Sequence, residues 1–292
     1  MSEAEDLIEA GLRLEKNGEL GLALDYYRRA EQEAGDPMTV SEAIRRQSVV
    51  LRRKSDWDGS IALARKAGAI ASSAGLVDQF AQTVNAEAAT MLMRGDVAGA
   101  SALFQTVVQG TSADPRVRAI ALQNLGTIAA GAGQWDRSRE CFRESVQCFQ
   151  RAEDAWGEAV ALNNYGRAAL DHGNMMMAEE LLEQAAAAAR RLEDFDSAAL
   201  ATLNQAEALA GMGRLPRATE LALESMNFFS ASGNAFRHSE ALRILGDIDS
   251  KRGDHAGARQ RYTEALALAS AADAPVEMEL VRRRLAELDL DG

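Results

Sequence analysis

At 292 residues and a formal net charge of −12, the chain is too acidic overall for a nonspecific grip on a nucleic-acid backbone, so no nucleic-acid partner is expected. Hydrophobic residues make up 47% of it but aromatics only 5%, and there are four prolines, a composition that suits close-packed Ala/Leu helices better than a sheet. No window approaches the roughly 18 consecutive apolar residues of a membrane span, and the acidic start after Met1 lacks a signal-peptide apolar run, so no membrane partner and a cytoplasmic location are expected.

The first predicted element is a helix-turn-helix unit over about 3–36, with its turn at Gly18, a small residue (Gly11) seven positions before it and Ala23 and Ala30 after it. The same arrangement returns in chain order. It centres on Ser55 with Ser48, Ser60 and Ala67 in unit 39–76, and on Gly95 with Ala88, Ala100 and Val107 in unit 79–113. Gly133 follows with Gly126, Ser138 and Ser145 in unit 115–153, then Gly173 with Gly166, Ala178 and Ala185 in unit 154–193. Gly213 with Ala206, Ala218 and Ser225 centres unit 195–233, and Gly253 with Gly246, Ala258 and Ala265 centres unit 235–273. The turn residues stand 37, 40, 38, 40, 40 and 40 positions apart, and a fixed period of this size marks a solenoid. Length alone would suggest two domains, but a repeat array is a single elongated domain, here 1–292. From Pro275 a last helix, 275–290, carries Met278, Leu280, Val281, Leu285 and Leu288 on one stripe and is expected to cap the open core face.

The pattern has a steric cause. Antiparallel helices approach closely only where small side chains face each other, and a tight turn between them wants glycine for its left-handed backbone. Asp96, Asn174 and Asp254, directly after turn glycines, are suited to cap the next helix. Large residues such as Tyr27, Phe104, Phe142, Leu182 and Tyr262 fill the spaces between. With Asn124-Leu125-Gly126, Gly133, Trp135, Ser138 and Phe142, and with Gly18, Ala23, Tyr26, Tyr27 and Ala30, this resembles the tetratricopeptide repeat over about residues 3–273. The resemblance implies an all-α, right-handed superhelical solenoid with a C-terminal capping helix. The units are longer than the family's usual repeat, which implies longer helices, and most lack its closing proline.

No catalytic constellation emerges, so no enzyme activity, cofactor or metal is expected. His172, His238 and His255 fall in or near turns of three separate units, which does not bring ligands together. Gly131-Ala132-Gly133 has no preceding strand and so is no phosphate loop. Met175-Met176-Met177 is read as core filling. Cys141 and Cys148 stand seven apart on one predicted helix, too far to bridge, and are read as small buried apolar residues in a reducing compartment.

The informative residues lie on the first helices, which line the concave surface of a stacked array. Asn124, Asn164 and Asn204 stand two positions before the small anchor, and Asn85, Gln123 and Asn163 stand three before it. Asparagine is a mediocre helix former that both donates and accepts, so such a ladder can hydrogen-bond an extended peptide backbone. It is similar to the asparagine ladder in the superhelix of O-linked N-acetylglucosamine transferase, which implies peptide binding but no transferase activity. The alternative role for these amides is bridging neighbouring helices. In the second unit Arg45, Arg46, Arg52 and Arg53 recur at helical spacing around Val49, while Glu207 and Asp247 carry the opposite charge in the last two units. The family's carboxylate-clamp pair would fall at Arg45 and Val49, where it is not met.

The expected function is therefore non-catalytic protein–protein interaction, with a partner peptide or protein segment in the concave groove. Asn85, Gln123, Asn124, Asn163, Asn164 and Asn204 would read its backbone, and the four arginines would hold its acidic end. The alternative is a self-assembling scaffold, a homo-oligomer formed through terminal or concave surfaces. Bacterial peptide-pheromone sensors share repeats of this length, but 292 residues are expected to leave no room for their added effector domain.

Overall fold

The computed structural model describes residues 2–110 and 112–291, with side chains through Asp289. Thr111 in the third expected unit, and Met1 and Gly292 at the ends, lie outside the described residues. Among the described residues all regular structure is helical. The helices fall into two compact units, Met1–Asp154 and Ala155–Gly292. The first contains α1 (Glu3–Lys16), α2 (Leu20–Glu33), α3 (Pro37–Arg53), α4 (Trp57–Ser73), α5 (Val77–Arg94), α6 (Val97–Gln109), α7 (Pro115–Gly131) and α8 (Trp135–Arg151). The second contains α9 (Ala155–Asp171), α10 (Met175–Arg191), α11 (Phe195–Gly211), α12 (Leu215–Ala231), α13 (Ala235–Lys251), α14 (His255–Ala271) and α15 (Pro275–Asp291).

Each of the seven expected turn residues sits between the two helices of a pair and has a positive φ, including Ser55 at 61°, the one that is not glycine. At Gly133 the chain closes with Gly133 N–H donating to Ala130 O at 2.9 Å and Gln134 N–H to Ala129 O at 2.9 Å, which satisfies two carbonyls at the helix end. Asp96, Asn174 and Asp254 cap the following helices as expected, each accepting from the backbone N–H three residues on. Five of the described turns that join one pair to the next also use the left-handed region, at Gly75 and Gly233 and, without glycine, at Glu153, Glu193 and Asp273, with φ of 52°, 57° and 49° for the last three. A side chain in that region costs about 1–2 kcal/mol, partly offset by the freedom glycine would restore to the unfolded chain. Glu193→Gly is therefore expected to stabilise the second unit by about 0.5–1 kcal/mol. The check is a rise in the urea midpoint at unchanged slope, and a lower midpoint would contradict it.

Helix pairs meet at the small anchors. A methyl group built on Gly166 would lie 2.5 Å from Leu182 Cγ, and one on Gly246 would lie 2.5 Å from the Tyr262 ring. Gly11 stands in the same relation to Tyr27, and Gly126 to Phe142. The large partner is always sixteen residues on, which is the register fixed by the shared turn. A second contact pairs positions 26 apart and uses serine on either side. Ser41 Oγ donates to Ala67 O at 2.9 Å and Ser239 Oγ to Ala265 O at 2.8 Å. In two other pairs the direction reverses, with Ser145 Oγ donating to Ala119 O at 2.8 Å and Ser225 Oγ to Ala199 O at 3.1 Å. Ser60 and Ser138 add bonds to the anchor carbonyls of Ser48 and Gly126. These buried hydroxyls find backbone acceptors, so small size is obtained with no unsatisfied polar group.

Within each unit the odd-numbered helices pack backbone to backbone in succession, α1–α3–α5–α7 and α9–α11–α13–α15. The even-numbered helices are reached only by long side chains among the described residues, as in Lys66–Glu31 between α4 and α2 and Arg190–Glu224 between α10 and α12. The odd helices thus form the closer-packed inner layer. α15 continues it, laying Val281 and Leu288 against Leu242, Ala258, Tyr262 and Ala265. Met175–Met177 departs from the core-filling expectation, since Met176 is 76% exposed. Cys148 is buried and Cys141 half-buried, both as free thiols.

Candidate functional site

The residues three positions before the anchor sit on seams between successive odd helices. Asn85 Nδ2 on α5 donates to Val117 O on α7 at 2.8 Å, and Arg243 Nε on α13 donates to Glu277 Oε1 on α15 at 2.8 Å. On α3, Arg45 and Arg46 both bond Glu42, whose carboxylate also accepts from Gln79 Nε2 on α5 at 3.0 Å. Position and chemistry together explain this. Helices packed side by side bury these side chains, and buried polar groups must find partners. Asn85 Oδ1 and Gln123 Oε1 are the exceptions, buried acceptors without a hydrogen bond.

The residues two positions before the anchor diverge. Asn204 Nδ2 bridges from α11 to Asn163 Oδ1 on α9 at 3.1 Å. Asn124 Nδ2 bonds its own helix at Ile120 O, 2.8 Å away. Asn164 is half-buried, and its side chain makes no hydrogen bond among the described residues. The helix-bridging alternative therefore describes Asn85, Asn163 and Asn204, while Asn164 is left with an open amide.

Asn164 opens onto a groove of about 330 Å³ across α9, α11, α13 and α15. Asn163, Asn164 and Asn204 contribute the amides, Leu200, Phe236, Val276 and Leu280 the apolar surface, and Arg167, Arg237, Glu240, Arg243 and Glu277 the charges. Val276 is 75% exposed, so the groove has an open apolar margin. Toward the C-terminal ends of the same helices lies a second hollow of about 360 Å³, lined by Glu207, Asp247, Lys251, Tyr262, Arg284 and Glu287 among others. Arg167 Nη1 reaches Glu207 at 2.7 Å, Arg243 reaches Asp247 at 3.7 Å, and Arg284 Nε reaches the same Asp247 at 2.9 Å. Glu207 and Asp247, expected to oppose the arginines of α3, are thus paired within their own unit. Arg167, Arg243 and Glu277 were absent from the sequence expectation. Their signal was the seam spacing, since Asn85–Val117 and Arg243–Glu277 lie 32 and 34 residues apart.

In the first unit the four arginines of α3 are unequal. Arg45 and Arg46 hold Glu42 at 2.6 and 2.7 Å. Burial opposes ionisation of Glu42, yet the Arg45 and Arg46 charges and the bonds from Arg45 and Gln79 bring its carboxyl down to about 2. Arg53 Nη1 donates to Glu15 O at 2.9 Å and lies 3.5 Å from the Glu15 carboxylate. Arg52 makes no side-chain hydrogen bond or ion pair among the described residues. Of the histidines, His172 and His255 are exposed and His238 is half-buried, with burial lowering its pKa. Among the described residues no three His, Cys, Asp or Glu side chains converge as a metal would need, and no helix is long and apolar enough to cross a membrane.

Residues 117–191 match the model of the tetratricopeptide repeat family. No curated protein matches the chain. Several solved structures share its fold. The signal transduction ATPase with a tetratricopeptide repeat sensor from Pyrococcus horikoshii superposes with a TM-score of 0.70 at 13% identity, over 94% of this chain and 44% of that one. The apo form of the quorum sensor NprR from B. thuringiensis gives 0.73 at 14% identity, over 90% of this chain and 75% of that one. A tetratricopeptide repeat protein from Parabacteroides merdae gives 0.56 at 13% identity, over 98% of both chains. The fold is that of tetratricopeptide repeats, and residues 117–191 carry the repeat that the family model describes.

Proposed function

We propose that the chain is a non-catalytic interaction module whose inner, odd-helix faces bind a segment of a partner protein or peptide. The observation that carries this reading is the open Asn164 amide in the groove of the second unit, beside Asn163 and Asn204 and under an apolar margin of Phe236, Val276 and Leu280. Apolar walls with a few convergent polar groups are the usual make-up of a recognition groove. The amide would meet a backbone N–H or C=O, and the margin an apolar side chain of the partner. The names of two structures of like fold, a quorum sensor and a protein with a repeat sensor, agree with a recognition role.

Of the other residues expected to bind, Asn124, Asn204 and Asn85 have their amide groups bonded within the fold, and Asn163 accepts from Asn204. Their part in binding is to position the groove or to exchange an internal bond for one to the partner. The test begins with peptides selected from a random dodecamer library panned against the full chain. Asn164→Ala is expected to weaken the best of them about two- to tenfold in a calorimetric titration, the worth of one neutral hydrogen bond, with helicity unchanged. Affinity unaffected by Asn164→Ala, or a library that yields no binder, counts against the reading.

A further inference from the structure

Arg52 is a half-buried cation that makes no ion pair or side-chain hydrogen bond, and among the described residues it is the one half-buried arginine in that state. Every other arginine that is half-buried or buried faces a carboxylate. Arg45 and Arg46 meet Glu42, Arg118 meets Glu144, Arg167 meets Glu207, Arg243 meets Glu277, and Arg237, Arg261 and Arg284 are likewise paired. The remaining unpaired arginines are exposed, where water serves them. Around Arg52 the charges do not balance. Arg45, Arg46, Arg52, Arg53 and Lys54 stand on α3 and its cap against Glu42 and the nearby Glu15, in a chain whose net charge is −12. Glu15 is engaged elsewhere, accepting from Tyr27 OH at 2.9 Å and facing Arg53, with only 14% of its side chain exposed. Burial pulls the Arg52 pKa below its ordinary value, Glu15 opposes this, and the Arg45 and Arg53 charges add to it. A guanidinium in such a setting lacks the contact ion pair that eight other arginines among the described residues possess.

We infer that Arg52 forms a subsite for a single oxyanion, a carboxylate or a phosphate monoester carried by a polypeptide partner. Its fork of N–H groups matches either group bidentately. One free guanidinium serves one anionic group, and the acidic remainder of the chain disfavours a polyanion such as nucleic acid. Arg45, Arg46 and Arg53, fixed on their own carboxylates, shape the field around the subsite without contacting the ligand. This assigns the acidic-end role expected of four arginines to one of them. It stands apart from the Asn164 reading, because free anions probe it and a failure of peptide binding would leave it untouched.

The experiment titrates the full chain with inorganic phosphate and, separately, with acetate. The arginine side-chain N–H resonances are followed by NMR, and NaCl of equal ionic strength serves as the control. A saturable shift of the Arg52 resonance beyond that in NaCl is expected. Movement with acetate alone identifies a carboxylate ligand, movement with phosphate alone a phosphorylated one, and either supports the subsite. The rise in melting temperature that the active anion produces over NaCl should vanish in Arg52→Gln and persist in Arg28→Gln, an exposed arginine paired with Asp25. The anion's affinity should fall at least about tenfold in Arg52→Gln, as charged hydrogen bonds are lost. An Arg52 resonance indifferent to both anions, or an undiminished increment in Arg52→Gln, overturns the inference. The wild-type titration decides the matter even if Arg52→Gln folds poorly.

Discussion

Glu277→Ala is expected to destabilise the second unit by about 3–5 kcal/mol, the largest loss anticipated for any single substitution described. The Glu277 side chain is 3% exposed and its partner Arg243 11%, at 2.8 Å. Removing the carboxylate leaves the buried guanidinium on the seam between α13 and α15 with only the longer 3.7 Å contact to Asp247. Replacing both residues by leucine removes the two desolvation penalties together, and that double variant is expected to be neutral or up to about 4 kcal/mol more stable. Burial holds the Glu277 carboxyl above its ordinary range even with Arg243 against it. The folded state therefore binds this proton more tightly than the unfolded chain. The associated stability is fully present below the unfolded value and is lost as pH rises through the folded one. In Arg243→Leu/Glu277→Leu that loss should disappear. Hydrogen exchange at the α13 and α15 amides measures each of these effects, and a double variant as damaged as the single one would refute the argument.

Gly166→Leu is expected to cost about 1–3 kcal/mol through overpacking, since the added side chain must displace Leu182, which is fully buried. The damage should not spread evenly. In a repeat array each element depends on its neighbours, so protection should be lost first in α9, α10 and α11 and last in α14 and α15. Truncating the opposing residue, as in Gly166→Leu/Leu182→Ala, should recover part of the loss because the new bulk enters the space vacated. An unchanged melting temperature in Gly166→Leu would mean that the two helices do not meet there.

The fold was legible in the sequence to the extent that glycine and small residues mark it. The anchor and turn positions reappear where the spacing puts them, even at Ser55, because one register controls both the turn and the contact sixteen residues apart. The turns at Glu153, Glu193 and Asp273 carried no such mark. Their left-handed backbone is imposed by the packing of the flanking helices and not requested by the side chain. For the candidate site, the inner face was legible but the state of its side chains was not. Whether Asn164 is open and Asn204 bonded depends on what the next odd helix presents some forty residues away. Part of the answer was local and still missed. Glu42 lies three and four residues before Arg45 and Arg46, the spacing of helical ion pairs, which already argued that those two arginines were taken.

The hydroxyl-to-carbonyl bonds between paired helices act as pawls against axial slip. Moving one helix along its partner by a single residue, about 1.5 Å, would break them. They are unevenly distributed. The α3–α4 and α7–α8 pairs have two each, and α11–α12 and α13–α14 have one. In α9–α10 both positions are alanine, Ala178 and Ala185, and in α1–α2 they are Ala23 and Ala30. Those pairs, like α5–α6 with Ala100 and Val107, have no such hydroxyl at either position, although the Tyr27 hydroxyl still donates to Glu15 across α1–α2. Stiffness therefore varies along the chain, and a pull applied to the ends of the second unit would be taken up first by sliding between α9 and α10, the pair on which the Asn164 groove begins.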